Sequence, residues 1–191
     1  MSTTRGEVVA LIKVAFQGEF GAYGEEALHL HFGENCEPVP CVTFRDVFEK
    51  VKQKQVDYAI VPVENSIAGP VKESQQLLQE YRPMIDGEIR LRVRHCLLGC
   101  TGSSLQTIKK VISHPQALAQ SKIFLDQLGV KTEPFYDTAG AAKWVSEHKC
   151  TDIAAIASRK AAERYRLVIL TENIESDLSN TTKFLIIRFS L

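Results

Sequence analysis

Apolar positions follow two rhythms along this chain: short unbroken runs, and longer stretches in which they recur every three or four residues. Unbroken runs fit strands buried on both faces, and the longer stretches fit amphipathic helices packed against them. Val14-Ala15-Phe16 is the first such strand, and residues 23–32 form the helix after it. Residues 38–41 read as a second strand. Thr43 then caps a helix whose buried stripe is Phe44, Val47, Phe48 and Val51, with Asp46 completing a capping box. Residues 58–63 are a continuous apolar strand ending at Glu64-Asn65-Ser66, and residues 71–78 a further helix behind Pro70. From Ile89 to Val93 the pattern becomes strict alternation. Ile89, Leu91 and Val93 share one face and Arg90, Arg92 and Arg94 the other, which predicts a strand with one wet face.

The second half repeats the theme with a strand at 111–113, a helix opened by Pro115 and closed by Gly129, and a strand at 130–136. A helix capped by Thr138, a strand at 152–157, a helix capped by Ser158 and running through Tyr165, and an apolar strand at 183–189 complete it. Strands alternating with helices predict an α/β fold with mostly parallel sheets flanked by helices, in which ligands sit beyond the carboxyl ends of strands. Three strand-to-helix junctions have unusual polar or glycine content: residues 17–23, 64–69 and 113–116. Each can aim backbone N–H groups at an anion.

Composition narrows the function. The 191 residues carry 23 basic and 23 acidic side chains, so no net field draws the chain to nucleic acid or an anionic membrane, and a small-molecule partner is expected. The apolar stretch near the N-terminus is too short for a signal core or a spanning helix, which predicts a soluble, cytoplasmic protein. Five cysteines without paired spacing argue against a disulfide framework and a zinc site, so no metal is expected. The glycines at 18, 21 and 24 fit neither the dinucleotide fingerprint nor the Walker pattern, and no nucleophile elbow surrounds Ser113-His114. Asn180-Thr181-Thr182 matches a glycosylation sequon, but without a secretory signal a cap before the last strand is the plainer reading.

Five segments in order carry a resemblance. They are Val14-Ala15-Phe16-Gln17-Gly18 with Gly21-Ala22-Tyr23; Val61-Pro62-Val63-Glu64-Asn65-Ser66 with Gly69; Ile112-Ser113-His114-Pro115-Gln116-Ala117-Leu118-Ala119-Gln120; Asp137-Thr138-Ala139-Gly140-Ala141-Ala142; and Asn180-Thr181-Thr182-Lys183-Phe184. Together, from about Lys13 onward, the chain resembles the prephenate dehydratase family, arogenate dehydratases included. The resemblance implies a two-lobed fold like a type II periplasmic binding protein with an interlobe cleft. Lobe 1 would comprise residues 10–87 plus 171–191, and lobe 2 residues 88–170.

The implied activity is that of a carbon–oxygen lyase in phenylalanine biosynthesis. Carbon dioxide and water leave prephenate to give phenylpyruvate, or leave arogenate to give phenylalanine, and no cofactor is needed. By the same resemblance Thr182 donates to the leaving hydroxyl, and Asn65, Ser66, Gly21, Ala22 and Tyr23 contact carboxylates. Thr138 and His114-Pro115-Gln116 complete the opposite wall, and Lys183 and Phe184 adjoin the catalytic threonine. The chain departs from the family pattern at Lys183, where arginine is usual, at Ser74 and Gln76, and at Gly24, where a hydroxyl residue is common. Lysine lacks the planar fork with which arginine grips a carboxylate. A binding module for a small dicarboxylate, weakened as a catalyst, is the competing reading. The family also suggests a homodimer, and no C-terminal ACT regulatory domain is expected in this chain.

Overall fold

The computed structural model describes residues 11–190; the expected start of lobe 1 at residue 10 and the final Leu191 lie outside them. The first part runs β1 (Ile12–Gln17), α1 (Tyr23–Phe32), β2 (Cys36–Cys41), α2 (Phe44–Lys52), β3 (Tyr58–Asn65), β4 (Gly69–Pro70), α3 (Lys72–Tyr81) and β5 (Met84–Arg92). The second runs β6 (Cys96–Gly99), β7 (Lys110–Ser113), α4 (Pro115–Gln120), α5 (Lys122–Leu128), β8 (Lys131–Pro134), α6 (Thr138–His148), β9 (Ile153–Ala157), α7 (Arg159–Tyr165) and β10 (Val168–Glu172). β11 (Thr181–Arg188) then returns to the first part.

Two sheets result, ordered β2-β1-β3-β11-β5, with β4 on β3, and β10-β6-β9-β7-β8. Each has a parallel core, β2-β1-β3 and β8-β7-β9, extended by an antiparallel pair. The sheets are thus mixed, and mostly parallel pairing holds only for their cores. The reason is the double crossing of the chain: β11 comes back from the second sheet and inserts between β3 and β5. Because β5 stays in the first sheet to Arg92 and β10 in the second to Glu172, the sheet boundaries fall a few residues beyond the expected breaks at 87/88 and 170/171. The crossovers are 93–95 and 173–180, and they are joined by Val93 N–H donating to the carbonyl of Asn180 at 2.9 Å.

Both sheets contribute to one core. Val14, Phe16, Ile60 and Ile186 from the first are buried in the same cluster as Leu98, Ala155 and Ala157 from the second, with Leu28, Ala142 and Ala161 from the helices and Ala22 at the cap of α1. Burying a side chain as large as Phe16 is worth about 1.5–3 kcal/mol. Alanines predominate on the buried faces of α6 and α7, which lets helix and sheet backbones approach closely. At Gly21, with φ of 90°, an added Cβ would stand 2.7 Å from Ala161 Cα. Ser158 Oγ donates to the Gly21 carbonyl at 2.6 Å and Tyr165 Oη to that of Phe20 at 2.7 Å.

Several local expectations move. The stretch from Pro115 to Gly129 is two helices, broken at Ser121 (φ −106°, ψ 14°). Asp137, not Thr138, is the cap of α6: its backbone is extended and Oδ1 accepts the Gly140 N–H at 2.8 Å. α3 runs to Tyr81, a turn further than its apolar pattern, and stops where Arg82 turns left-handed before Pro83. The predicted capping box of Thr43 and Asp46 is present.

Candidate functional site

A cleft of about 520 Å³ lies where the carboxyl ends of β1, β3, β7 and β8 meet. The first sheet and its helices supply Gln17, Ala22, Tyr23, Gly24, Thr43, Phe44, Pro62, Asn65 and Glu73. The second part supplies His114, Gln116, Gln120, Tyr136, Asp137 and Thr138, the first crossover His95, and β11 Thr182 and Phe184. The lining holds hydroxyls, amides and imidazoles, two carboxylates (Glu73 and Asp137), and among the described residues no lysine or arginine. A carboxylate bound here would therefore be met by neutral donors and backbone N–H groups. Ala22 caps α1 without a side-chain bond, which leaves first-turn N–H groups of that helix to face the cleft.

A continuous hydrogen-bonded network runs behind the floor. Asn65 Oδ1 accepts the N–H groups of Ile67 and Ala68 at 3.1 and 2.9 Å. Its Nδ2 donates to Asn180 Oδ1 at 2.7 Å and Thr182 Oγ1 at 3.0 Å. Asn180 Nδ2 donates to Gln120 Oε1 at 3.0 Å, and the same oxygen lies 2.9 Å from His95 Nε2. His95 Nδ1 is 2.8 Å from the Tyr23 hydroxyl, and the His95 N–H donates to Glu175 Oε2 at 2.9 Å. Burial lowers the His95 pKa and raises that of Tyr23 well above its usual value, so both are neutral at pH 7. Burial also raises the Asp137 carboxyl, against the Gly140 and Ala139 N–H groups that pull it down.

The rim is bridged. Glu19, on the loop after β1, accepts from Tyr136 Oη at 3.3 Å and from Lys143 Nζ at 3.1 Å. Tyr136 has its own pKa pushed up to about 12, chiefly by burial.

Of the residues expected to form the site, Ala22, Tyr23, Asn65, His114, Gln116, Thr138, Thr182 and Phe184 line the cleft together. Gly21 lies behind it in the seam with α7, and Ser66 closes the end of β3 by accepting the Thr181 N–H at 2.9 Å. Pro115 opens α4 beside the lining. Lys183 is not among the lining residues: its ammonium pairs with Glu88 of β5 at 2.7 Å. His95, Gln120, Asn180, Asp137 and Glu73 were not singled out. Gln120 closes one of the five segments and Asp137 and Asn180 open two others, whereas His95 offers only a polar residue between two apolar strands.

A two-lobed α/β frame with a polar, donor-rich cleft at its strand ends is the class of structure that takes a small molecule between its lobes. The family model described as Prephenate dehydratase matches residues 14–190. Among curated proteins, "Arogenate dehydratase/prephenate dehydratase 2, chloroplastic" from Arabidopsis thaliana is 44% identical over 92% of this chain and 46% of its own length. "Arogenate dehydratase 2" from Petunia hybrida is 43% identical over 92% of this chain and 44% of its own. Among solved structures, prephenate dehydratase from Arthrobacter aurescens in complex with L-Phe superposes with a TM-score of 0.87 at 25% identity, over 94% of this chain and 61% of that one. One described as GqqA, a novel type of quorum quenching acylases, gives 0.86 at 37% identity, over 94% and 64%. This chain belongs to the prephenate dehydratase family. It spans a little under half the length of the curated relatives it matches, and no helix among its described residues is long and apolar enough to cross a membrane.

Proposed function

We propose that the cleft catalyses decarboxylating dehydration, with arogenate preferred to prephenate, to give phenylalanine. The observation that carries the reaction is the state of Thr182. Its oxygen accepts from Asn65 Nδ2 at 3.0 Å, so its own O–H is left to donate into the cleft it lines. As the carbon–carboxylate bond breaks, its electron pair enters the ring and the hydroxyl opposite departs. Charge develops on that oxygen, and a hydrogen bond from Thr182 strengthens as it does. Threonine is too weak an acid to surrender its proton fully, so the departing hydroxide gains its proton from solvent.

Aromatisation drives the step, which leaves the protein to hold the ring and the carboxylates. Phe184 and Ile60 supply apolar wall, and Asn65, Gln116, Thr138 and the Ala22–Tyr23 backbone supply neutral donors. The preference for arogenate is supported by charge: Glu73 and Asp137 line a cleft without lysine or arginine, and an ammonium in place of a keto group offsets them. Both curated relatives named above carry arogenate dehydratase in their names, one of them together with prephenate dehydratase. Lobes 11–92 plus 181–190 and 96–172 would close on the ligand as units about the two crossovers, and the five free cysteines suit a reducing compartment, the cytosol or a plastid stroma.

An acylase reading, suggested by the relative so described, finds less support. Among the described residues no serine, threonine or cysteine of the cleft is hydrogen-bonded to a histidine, the arrangement that activates a hydroxyl nucleophile. The test is to incubate the protein with arogenate and prephenate separately and quantify phenylalanine and phenylpyruvate against buffer. We expect kcat/KM for arogenate at least about tenfold above that for prephenate, one charge pair's worth. Turnover of prephenate alone would overturn the preference, and turnover of neither would overturn the reaction.

A further inference from the structure

The network behind the floor contains three side-chain amides and one imidazole, and its polarity is fixed from one end. The N–H groups of Ile67 and Ala68 can only donate, and both point at one atom of Asn65, which is therefore its oxygen. The other atom, Nδ2, donates to Asn180 and Thr182. The Asn180 atom facing it is thus an oxygen, which leaves the Asn180 Nδ2 as donor to Gln120 Oε1 at 3.0 Å. An amide oxygen only accepts. The imidazole nitrogen 2.9 Å from it, His95 Nε2, must then carry a proton, and in the neutral ring Nδ1 keeps its lone pair; the Tyr23 hydroxyl, 2.8 Å from both Nδ1 and the Arg94 carbonyl, shares its one proton between these two acceptors.

We propose that His95 is a positioning residue: its Nε2–H clamps Gln120 Oε1 against Asn180, holding the amide relay in the one orientation that leaves the Thr182 proton for the cleft. The proposal rests on the reading of Thr182 as donor to the leaving hydroxyl. Anchoring at both ends is what the relay needs. Gln120 sits at the end of α4, where the helix breaks at Ser121, and its side chain has three torsions to hold. With a lone pair instead of a proton on Nε2, two acceptors would face each other at 2.9 Å. Gln120 would turn away, and Asn180, fully buried in the second crossover, would lose the acceptor of its Nδ2. Glu175 assists by gripping the His95 backbone N–H, which fixes the ring's starting point without touching its nitrogens.

Two substitutions separate the ring's two nitrogens. In His95→Gln the side-chain NH2 falls near the position of Nε2 and keeps the donor to Gln120. In His95→Asn the amide ends near Nδ1 and the donor is lost. The positioning role predicts that His95→Asn lowers kcat about tenfold or more while KM stays within about threefold, whereas His95→Gln retains more than about a third of kcat. Nitrogen-15 NMR of the histidine-labelled full chain reads the tautomer directly, and a protonated Nε2 with a bare Nδ1 is expected at pH 7.5. Equal kcat in two folded variants, or a proton on Nδ1 with Nε2 bare, overturns the proposal. Failure of the parent protein to turn over arogenate and prephenate instead overturns the dehydratase reading and removes the role assigned to His95, whatever the tautomer.

Discussion

At the scale of single residues, His95 ties stability to pH. The ring is buried, and the titratable groups about it are the Tyr23 phenol from α1, Glu175 from the second crossover and Cys96 at the start of β6. Burial holds its pKa below the usual 6.5. Between that lowered value and 6.5 the unfolded chain binds more protons than the folded one, so stability rises with pH there. Stability from this group is present above about pH 6.5 and is lost as pH falls through the folded pKa. Urea unfolding at pH 7.5 and 5.5 checks it: the parent should lose more stability on acidification than His95→Gln, and equal losses would contradict the assignment. Lys183 is a second case. Because it pairs with Glu88 and stands off the cleft, Lys183→Arg should leave kcat/KM within about twofold, since a surface ion pair survives that exchange. A larger change would place position 183 in the site after all.

Among secondary-structure elements, caps and close approaches set what each change costs. The box of Thr43 and Asp46 satisfies two N–H groups at the start of α2, at 3.1 and 3.0 Å. Thr43→Ala should lower the unfolding free energy by about 1 kcal/mol, measurable by denaturant titration. Gly21→Ala should cost more, about 2–4 kcal/mol, because φ is 90° and the new Cβ would meet the Ala161 backbone across the seam. Strands and helices of strong periodicity were legible: α2, β3 and α7 have sharp boundary signals in Thr43, Asn65 and Ser158. The hidden elements are instructive. β6 and β10 pair antiparallel at one side of the second sheet, and although Gly102 and Asn173 turn the chain after them, the two strands, of four and five residues, are too short to show a period. The break at Ser121 was equally silent, since α4 and α5 together keep a helical period while only the backbone at one residue departs from it. Asp137 took the cap expected of Thr138 because two capping residues stand side by side and sequence alone does not say which is extended.

For the whole molecule, the architecture follows from crossing the chain twice. β11 lies between β3 and β5, so Thr182 and Phe184 are carried from the second part of the chain to the floor of a cleft lined by the first. Thr182 could be proposed from the Asn-Thr-Thr-Lys-Phe motif, but the bond of that motif's first residue, Asn180, to Asn65 could not, since a buried network between strand ends has no period in sequence. Only the folded chain brings Asn65 and Asn180, 115 positions apart, to 2.7 Å. Across the rim, Glu19 joins the two parts through Tyr136 and Lys143. These partly exposed contacts are worth about 1 kcal/mol or less, so Glu19→Gln should leave stability nearly unchanged while raising KM severalfold if closure of the rim retains the ligand; unchanged KM would mean that it does not.

The central claim is that the Thr182 hydroxyl, held by Asn65, assists departure of the hydroxyl from arogenate or prephenate. The most direct measurement is single-turnover formation of phenylalanine and phenylpyruvate by the parent and by Thr182→Val, which keeps the shape and removes the O–H. Loss of about 100-fold or more in the chemical step, with substrate affinity within a fewfold of the parent, is the predicted result. A valine variant that turns substrate over at the parent's rate would contradict the account.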